Sequence, residues 1–350
     1  MAFNDPSTPP ADESQNAQSQ PITVTSCSTT YGALNQLPSG TMSYRLGIHA
    51  AQGIRTTMED THAFIVDFNS VHGQGYFAVF DGHGNKRVSE WCGSNFHKVL
   101  LDTMQDSPRS STNDIMKDAF RRADEKLEEI SENDAAWCDS GSTAVVAFLR
   151  YEDADGSQAS FETSTVKRTP DPFGSSNSAQ GTGTLKEPSP KARRVLYCAN
   201  AGDARAVLCR NGTATRLTQD HKATDEDEKA RIRGAGGIVL RGRVMGALAV
   251  SRSLGDHIRY EKIKMKDYVI GEPFISRTEL NEDDEFCIIA CDGLWDVITD
   301  QQAIDMIRYQ DDAQKASEIL VNFALQNEYL YSRDNVTVMV VRFASAPKST

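Results

Sequence analysis

Short apolar segments rich in Val, Ile and Phe recur along the chain, and Gly, Asp or Asn stands at their ends. Segments of this length between turn-forming residues are typical of β-strands. They predict strands at residues 61–68, 75–80, 144–149, 195–199, 204–209, 286–290 and 336–343. Asn211-Gly212 follows one of these segments and is a strong signal for a two-residue hairpin, which favours antiparallel pairing.

Between these strands the apolar residues recur at helical spacing, which predicts amphipathic helices. Two successive helices are predicted by the apolar faces Val88, Trp91, Cys92, Phe96, Val99 and Leu100, and Ile115, Ala119, Phe120, Ala123, Leu127 and Ile130. Near the end, Thr299-Asp300 can cap a helix that starts at about Gln301, and Ile319, Leu320 and Phe323 give another helix an apolar face. This order of elements predicts an α+β fold in which two sheets stack face to face with helices outside them.

Two stretches lack the apolar residues that a folded segment needs. Residues 1–40 are rich in Ser, Thr, Gln and Pro and contain no Lys or Arg, which predicts a disordered tail. Residues 152–192 run through Gly-Ser-Ser-Asn-Ser and Gly-Thr-Gly-Thr between two predicted strands. We expect a long disordered loop insertion there, because long surface loops cost little free energy.

Four acidic turn segments lie where a predicted strand begins or ends: Glu59-Asp60, Asp81-Gly82-His83-Gly84, Asp292-Gly293 and Asp334-Asn335. Each would place a carboxylate at the rim of a sheet, where gathered carboxylates repel one another unless a cation lies between them. Mg²⁺ or Mn²⁺ suits such a site, because both prefer oxygen ligands. Taken singly, an Asp-Gly or Asp-Asn pair is more often an ordinary turn, and a lone His is more often structural.

The net charge and the cysteine pattern disfavour several classes of protein. The net charge of −12 and the pI of about 5.1 disfavour a nucleic-acid binder, which normally presents a basic face. Seven cysteines with no Cys-x-x-Cys predict neither a disulfide framework nor a zinc site. No apolar run approaches the ~18 residues that span a bilayer, and the first residues lack the pattern of a secretory signal. We expect a monomer in the cytoplasm, the nucleus or both, with no membrane partner.

Six segments of the chain, in order, resemble the motifs of the metal-dependent protein phosphatases of type 2C. They are residues 55–60, 80–84, 201–205, 248–256, 290–296 and 332–336, and the likeness extends from about residue 43 to residue 343. Within that family the chain resembles small fungal members that switch off stress-activated MAP-kinase pathways. The resemblance implies a four-layered αββα sandwich, in which two stacked antiparallel sheets are flanked by helix pairs and the metal site lies at one end. It assigns residues 41–345 to one catalytic domain.

The resemblance also implies residue roles around two Mg²⁺ or Mn²⁺ ions. Asp81 would bridge the ions, Asp292 and Asp334 would hold the first, and Asp60 with the carbonyl of Gly82 would face the second. Glu59 would act through bound water. Arg55 would bind two phosphate oxygens, and His83 would be the general acid for the leaving oxygen. A glycine at 82 would allow backbone angles closed to other residues.

Asp203, Asp292 and Asp296 match positions that hold a weaker third metal ion in the family, although Asp203 could instead cap its own turn. Residues 221–246 correspond to the family's flap, where Asp225 to Glu228 would open a short helix. The implied reaction is hydrolysis of phosphoserine and phosphothreonine by a metal-bridged hydroxide, with no phosphoenzyme. The implied partners are phosphoprotein substrates, including kinases of a MAP-kinase pathway that the enzyme would regulate negatively.

Two other functions remain open from the sequence. A non-catalytic binding protein could share the same fold, but it would be expected to have lost acidic ligands that are present here. Another two-metal hydrolase, such as a nuclease or phosphodiesterase, would need a basic track for its polymeric substrate. The chain has no Lys/Arg cluster of that kind.

Overall fold

The computed structural model describes residues 44–159, 186–260, 263–326 and 331–343, together with the backbone of strands at 24–26, 29–34 and 161–162. The strands are β1 (Val24–Ser26), β2 (Thr29–Leu34), β3 (Tyr44–Ala51), β4 (Thr61–Val66), β5 (Gly75–Phe80), β6 (Gly82–His83), β7 (Gly141–Ser142), β8 (Ala144–Glu152), β9 (Phe161–Glu162), β10 (Glu187–Pro188), β11 (Arg193–Ala201), β12 (Arg205–Arg210), β13 (Thr213–Arg216), β14 (Val239–Leu240), β15 (Arg243–Val244), β16 (Leu254–Gly255), β17 (Arg259–Tyr260), β18 (Ile263–Lys264), β19 (Phe274–Glu279), β20 (Asp284–Ala290) and β21 (Val336–Phe343). The helices are α1 (Arg87–Asp106), α2 (Thr112–Asn133), α3 (Glu226–Gly234), α4 (Asp292–Trp295), α5 (Asp300–Ile307) and α6 (Ala313–Gln326).

Two antiparallel sheets form the centre of the fold. One has seven strands in the order β1-β2-β3-β21-β20-β12-β13, and the other has five in the order β19-β11-β8-β5-β4. The predicted strands that flank the long insertion are neighbours, and Leu149 pairs with Leu196. The predicted hairpin also forms, because Asn211 and Gly212 both adopt the positive φ that a tight turn between β12 and β13 requires.

The two sheets pack face to face through an apolar layer. Strand β5 is buried along its whole length and serves two layers through its alternating side chains. Phe77 and Val79 lie in the core between the sheets, with Ile48 and Met339 of the opposite sheet. Tyr76, Ala78 and Phe80 belong to the core under α1 and α2. A strand buried on both faces is expected only in the middle of a layered fold.

Helices cover both outer faces. The apolar stripes of α1 and α2 pack on the five-stranded sheet, whereas α5 and α6 pack on the seven-stranded sheet. Thr299 caps α5 with its side chain and forms a capping box with Gln302. The predicted helices and the predicted four-layered αββα sandwich are confirmed. Every helix among the described residues is too short or too polar to cross a bilayer.

Two strands lie within residues 1–40, the segment that the sequence predicts to be a disordered tail. These strands are β1 and β2, and β2 pairs with β3 at the edge of the seven-stranded sheet. The segment holds Val24, Thr29 and Tyr31, which favour extended backbone, and the edge of β3 offers free backbone hydrogen-bonding groups. Within the predicted insertion, β9 and β10 pair with each other. Of the two predicted segments, residues 1–23, 27–28, 35–40, 160 and 163–185 lie outside the described residues.

A smaller unit lies beside the two sheets and contains the predicted flap. The short helix α3 begins at Glu226, after Asp225, as the sequence indicated. Its residue Ile232 packs with Ala223, Val244, Met265 and Val269 in a separate small core. A three-stranded sheet in the order β16-β7-β6 connects this unit to the end of β5. The connection places residues 251–257 next to the rim where the acidic turns lie.

Candidate active site

The four acidic turns meet at one end of the sandwich. Asp60 stands just before β4 and Asp81 just after β5, and these strands are antiparallel neighbours in which Thr61 pairs with Phe80. Asp292 follows β20 and Asp334 precedes β21, which are neighbours in the other sheet. Their charges act on one another, because the electrostatic neighbours of Asp81 include Asp60, Asp292, Asp203 and Asp334. The predicted convergence of the turns is therefore observed.

Burial and mutual repulsion dominate the electrostatics of this cluster. Burial and the charges of Asp60, Asp292 and Asp203 raise the pKa of Asp81 well above its usual value. Burial and nearby carboxylates do the same to the pKa of Asp292. Burial raises the pKa of Asp60 to about 6, against hydrogen bonds from Thr337 and Cys291 that lower it. Without a cation, these groups would therefore resist full ionisation at neutral pH.

Asp60 leaves one carboxylate oxygen for an external partner. Its Oδ2 accepts hydrogen bonds from Thr337 Oγ1 at 2.7 Å and from Cys291 Sγ at 3.2 Å. Its Oδ1 is buried and has no hydrogen-bond partner among the described residues. Ligand atoms of Asp60, Asp81 and Cys291 all lie within 4.8 Å of one another. A hard divalent cation fits the two carboxylates of this group, because it would satisfy the orphaned oxygen of Asp60 and offset the repulsion.

Gly82 fits the site for a steric reason, and the predicted need for special backbone angles is wrong. It lies in the short strand β6 and is not among the described glycines with a left-handed φ. A Cβ atom at this position would lie 2.5 Å from the carbonyl oxygen of Glu59 and 2.7 Å from Ser89 Oγ. The turn after Asp81 can approach the Glu59-Asp60 turn this closely only because residue 82 has no side chain.

Asn335 holds the Glu59-Asp60 turn at the rim through hydrogen bonds. The sequence indicated only that Asn335 lies in a turn and did not predict this role. Its Oδ1 accepts a hydrogen bond from the backbone N–H of Glu59 at 2.8 Å. Its Nδ2 donates to the carbonyl oxygens of Gln52 at 2.9 Å and Thr57 at 3.0 Å. Three hydrogen bonds from one buried amide thus fix the loop that carries Arg55, Glu59 and Asp60.

Arg55 lies at the mouth of the site, where its side chain is 53% exposed. Its Nη2 contacts Asp334 Oδ2 at 2.6 Å, and its Nε donates to the carbonyl oxygen of Arg333 at 3.2 Å. The guanidinium therefore lies beside the carboxylate cluster and remains open to solvent. That position suits a group that would meet an incoming phosphate.

His83 lies next to Asp81, and its partner Asp256 is a residue that sequence reasoning missed. Nε2 of His83 lies 2.8 Å from Asp256 Oδ2. Burial lowers the pKa of His83, but the charge and hydrogen bond of Asp256 outweigh that effect and the net pKa is raised. The two residues are 173 positions apart in the chain. Asp256 is the last residue of the motif segment 248–256, but nothing in the sequence indicates which residue it contacts.

The predicted third-metal residues surround an amine that the sequence did not point to. Lys222 Nζ lies 2.8 Å from Asp296 Oδ1 and 3.7 Å from Asp203 Oδ2. Burial raises the pKa of Asp203 to about 6, although the charge of Lys222 opposes the shift. Asp203 and Asp296 therefore share Lys222 as their cationic partner, and Lys222 belongs to the flap. Lys222 is the competitor that an ion at this position would have to displace.

Comparisons with known proteins agree with this architecture. The family model described as protein phosphatase 2C matches residues 44–158 and 177–332. The chain is 36% identical over 343 residues to "Protein phosphatase 2C homolog 1" of Schizosaccharomyces pombe, which covers 96% of this chain and 85% of the relative. It is 38% identical over 303 residues to the protein of the same name from Saccharomyces cerevisiae, with 86% and 94% covered.

The fold is also that of a solved structure, the serine-threonine phosphatase 2C from Toxoplasma gondii. The two superpose with a TM-score of 0.66 at 21% identity, over 90% of this chain and 99% of the other. A sequence identity of 21% shows only that the two proteins share a fold. Family membership is shown by the sequence matches to the family model and to the two yeast relatives. The chain therefore belongs to the protein phosphatase 2C family.

Proposed function

We propose that this protein hydrolyses phosphoserine and phosphothreonine in protein substrates with the help of two bound Mg²⁺ or Mn²⁺ ions. The observation that carries the proposal is the carboxylate cluster at the rim, where Asp60, Asp81 and Asp292 have raised pKa values and Asp60 Oδ1 is buried without a partner. Membership of the protein phosphatase 2C family supports both the reaction class and the need for metal.

The acidic residues at the rim would hold the ions. Asp81 is the candidate bridge, because its carboxyl interacts with carboxylates from both sheets. Asp292 and Asp334 would bind one ion, and Asp60 with the carbonyl of Gly82 would face the other, with Glu59 acting through water. Asp203, Asp292 and Asp296 would hold a weaker third ion, which would displace Lys222 from Asp203 and Asp296. When bound, the ions supply positive charge for the phosphoryl oxygens and make the attacking water more acidic.

The chain's own side chains would orient the phosphate and manage the leaving oxygen. Arg55 offers a planar fork at the mouth of the site for two phosphate oxygens. His83 would donate a proton to the serine or threonine oxygen as the bond to phosphorus breaks, because an unprotonated alkoxide is a poor leaving group. The raised pKa of His83 favours the protonated form that this step needs.

The substrates would be phosphoproteins, and kinases of a stress-activated MAP-kinase pathway are the first candidates. This choice rests on the resemblance to small fungal members of the family that switch off stress-activated MAP-kinase pathways. In that role the enzyme would act as a monomer in the cytoplasm or nucleus and would lower the activity of the pathway.

The proposed activity is tested by phosphate release from a phosphothreonine peptide and a phosphotyrosine peptide of the same sequence. We expect release from the phosphothreonine peptide only when Mn²⁺ or Mg²⁺ is added, with complete loss after chelation and recovery on metal addition. The phosphotyrosine peptide should be the poorer substrate. Activity that needs no added metal and survives a chelator would overturn the proposal.

A further inference from the structure

We propose that Asp256 is the positioning residue for the general acid, and that it fixes His83 so that Nδ1 donates the proton to the leaving oxygen. The inference rests on the proposed phosphatase function and extends it to a residue outside the metal cluster. It follows from the contact between the two side chains, from the way the fold builds that contact, and from the chemistry of an imidazole held at one nitrogen.

The contact between His83 and Asp256 occupies one ring nitrogen completely. Nε2 of His83 lies 3.0 Å from Asp256 Oδ1 and 2.8 Å from Oδ2. Both carboxylate oxygens are therefore within hydrogen-bonding distance of this nitrogen. The side chain of Asp256 is 0% exposed, and Ser253 Oγ donates a second hydrogen bond to its Oδ2. His83 is the cation that pairs with this carboxylate among the described residues, and its own side chain is 26% exposed.

The small sheet β16-β7-β6 brings the two residues together. His83 in β6 pairs with Gly141 in β7, and Gly141 pairs with Gly255 in β16, directly before Asp256. A Cβ atom at residue 141 would lie 2.3 Å from both His83 Nε2 and Asp256 Oδ2. The central strand β7 therefore has a glycine where the hydrogen bond between His83 and Asp256 passes over it. Any side chain at residue 141 would separate His83 from Asp256.

The backbone of Asp256 is held in a conformation that needs support from its surroundings. Its φ is 56°, in the left-handed region that a non-glycine residue rarely adopts. A hydrogen bond from its N–H to the carbonyl oxygen of Ser140, at 2.9 Å, fixes this conformation. Strain of this kind persists only where neighbouring contacts determine the geometry, and it is commonly found at functional sites. Here it aims a buried carboxylate at His83.

This geometry specifies the route of the proton. In the protonated imidazole, Nε2–H is bound to Asp256 and Nδ1–H is left for the substrate. As the bond between phosphorus and the leaving oxygen breaks, the proton on Nδ1 moves to that oxygen and its electron pair stays on the ring. His83 then becomes neutral with its remaining proton on Nε2, and it regains a proton from solvent before the next turnover. Asp256 stays ionised and keeps the ring from rotating.

The kinetic test compares two leaving groups in the Asp256→Asn variant. Asparagine keeps the size of the side chain but removes its charge. For a phosphothreonine peptide we expect a large fall in kcat, up to the ~10²–10⁴-fold that a positioned acid contributes, because Asp256 acts through His83. For p-nitrophenyl phosphate the loss should be much smaller, because its phenolate leaves without a proton. KM and the Mn²⁺ concentration for half-maximal activity should stay close to those of the parent enzyme.

A double variant separates positioning from general structural support. Once His83→Gln has removed the acid, adding Asp256→Asn should cause no further loss with the phosphothreonine peptide, because the two residues act as a unit. Asp284→Asn is the matched control, since Asp284 is another fully buried carboxylate, paired with Arg210 at 2.7 Å in the seven-stranded sheet. This control should lower the melting temperature without changing the ratio of the two kcat losses.

Equal losses on the two substrates, or a further loss in the His83→Gln background, would overturn the assignment of Asp256. If Asp256→Asn does not fold, the parent chain still provides a test. In full-length protein labelled with ¹⁵N-histidine, the neutral His83 ring should show its proton on Nε2, and the Nδ1-protonated tautomer would contradict the proposal. A parent enzyme without metal-dependent activity would refute the proposed function, whereas normal parent activity with the wrong tautomer would refute this inference alone.

Discussion

Asp60 divides its two oxygens between the protein and the proposed metal. Thr337 and Cys291 both donate to Oδ2, which turns the buried Oδ1 toward a partner outside the protein. Hydrogen bonds of this kind orient metal ligands, and their removal typically costs about 10- to 100-fold in metal affinity or activity. The sequence pointed to Asp60, but it could not show that a threonine 277 positions away determines which oxygen is available.

Among single residues, Asp292 provides a direct test of the metal ligands. Asp292→Asn keeps the size of the side chain but removes a negative charge from a cluster that would hold divalent ions. Because Asn is a weaker ligand, we expect Mn²⁺ affinity and kcat to collapse while circular dichroism and solubility stay unchanged. Titration of activity with Mn²⁺ measures the effect. Parent-like turnover at limiting Mn²⁺ would remove Asp292 from the ligand set.

His83 is tested by the nature of the leaving group. His83→Gln should slow hydrolysis of a phosphothreonine peptide by about 10²–10⁴-fold, which is the usual contribution of a positioned acid. Hydrolysis of p-nitrophenyl phosphate should be much less affected, since its leaving group needs little protonation. The ratio of the two losses is the informative quantity. Equal losses would make His83 a support for Asp81 rather than an acid.

At the level of elements, one buried carboxylate attaches α3 to the segment of residues 251–257 that follows the flap. Glu228 is 3% exposed, and it accepts hydrogen bonds from Arg231 at 2.8 Å and from Arg252 at 2.7 Å. Burial raises the pKa of Glu228, but its hydrogen bonds and the positive charges outweigh burial and lower the pKa to about 2. The sequence indicated a charged helix here. It could not distinguish the one buried glutamate from its exposed neighbours.

The Glu228→Gln variant should lose stability, because two arginines would be left without their shared carboxylate. A loss of about 3–5 kcal/mol is typical when one partner of a buried ion pair is removed. Glu226→Gln is the matched control, since Glu226 is 83% exposed and pairs only with Lys229 among the described residues. It should leave the free energy of unfolding nearly unchanged, because water screens an exposed ion pair. Urea unfolding of the three proteins at neutral pH measures both effects.

The same ion pair makes a testable contribution to acid stability. Glu228 has a lower pKa in the folded protein than the usual 4.5, so its stabilising contribution is fully present above pH 4.5 and is lost as pH falls toward about 2. The difference in melting temperature between the parent and Glu228→Gln should therefore shrink over that interval. A difference that stays constant across it would show that the charge of Glu228 does not cause the stabilisation.

At the scale of the whole molecule, the layered fold was more predictable than the contacts within the site. The seven predicted strands and the helix pairs are present in the structure. They could be predicted because the spacing of their apolar residues matches the spacing of the side chains buried between the layers. The strands β3 and β19 were not predicted, and β19 carries Arg277 and Glu279 on a half-exposed edge that gives a weak pattern. Contacts such as those of Asn335 or Asp256 join residues far apart in the chain, and a single sequence has no local signal for them.

Removing metal should change the pH dependence of the whole fold. Asp60 and Asp203 have a pKa of about 6 in the folded protein, above the usual 3.8, so the folded state favours their protonated forms. In metal-free protein their ionisation therefore reduces stability as pH rises from 3.8 through about 6. We expect the gain in melting temperature on adding Mn²⁺ to be larger at about pH 7.5 than at about pH 5.

Asp292→Asn is the control for that measurement, because it removes one of the repelling charges and should reduce both the pH effect and the gain from Mn²⁺. The proposal of a carboxylate metal centre would be contradicted if Mn²⁺ raised the melting temperature equally at both pH values, or if it raised that of the variant as much as that of the parent.

The acidic turns belong to different halves of the sandwich. Asp60 and Asp81 extend from neighbouring strands of the five-stranded sheet, whereas Asp292 and Asp334 extend from neighbouring strands of the seven-stranded sheet. Ions held by these four carboxylates would add a link between two layers that meet through apolar side chains and through hydrogen bonds such as the one from Thr337 to Asp60. Any sliding of one sheet over the other would alter the spacing of the ligands. Catalytic competence would then depend on the alignment of the layers, and mutations deep in the shared core could impair turnover without touching the rim.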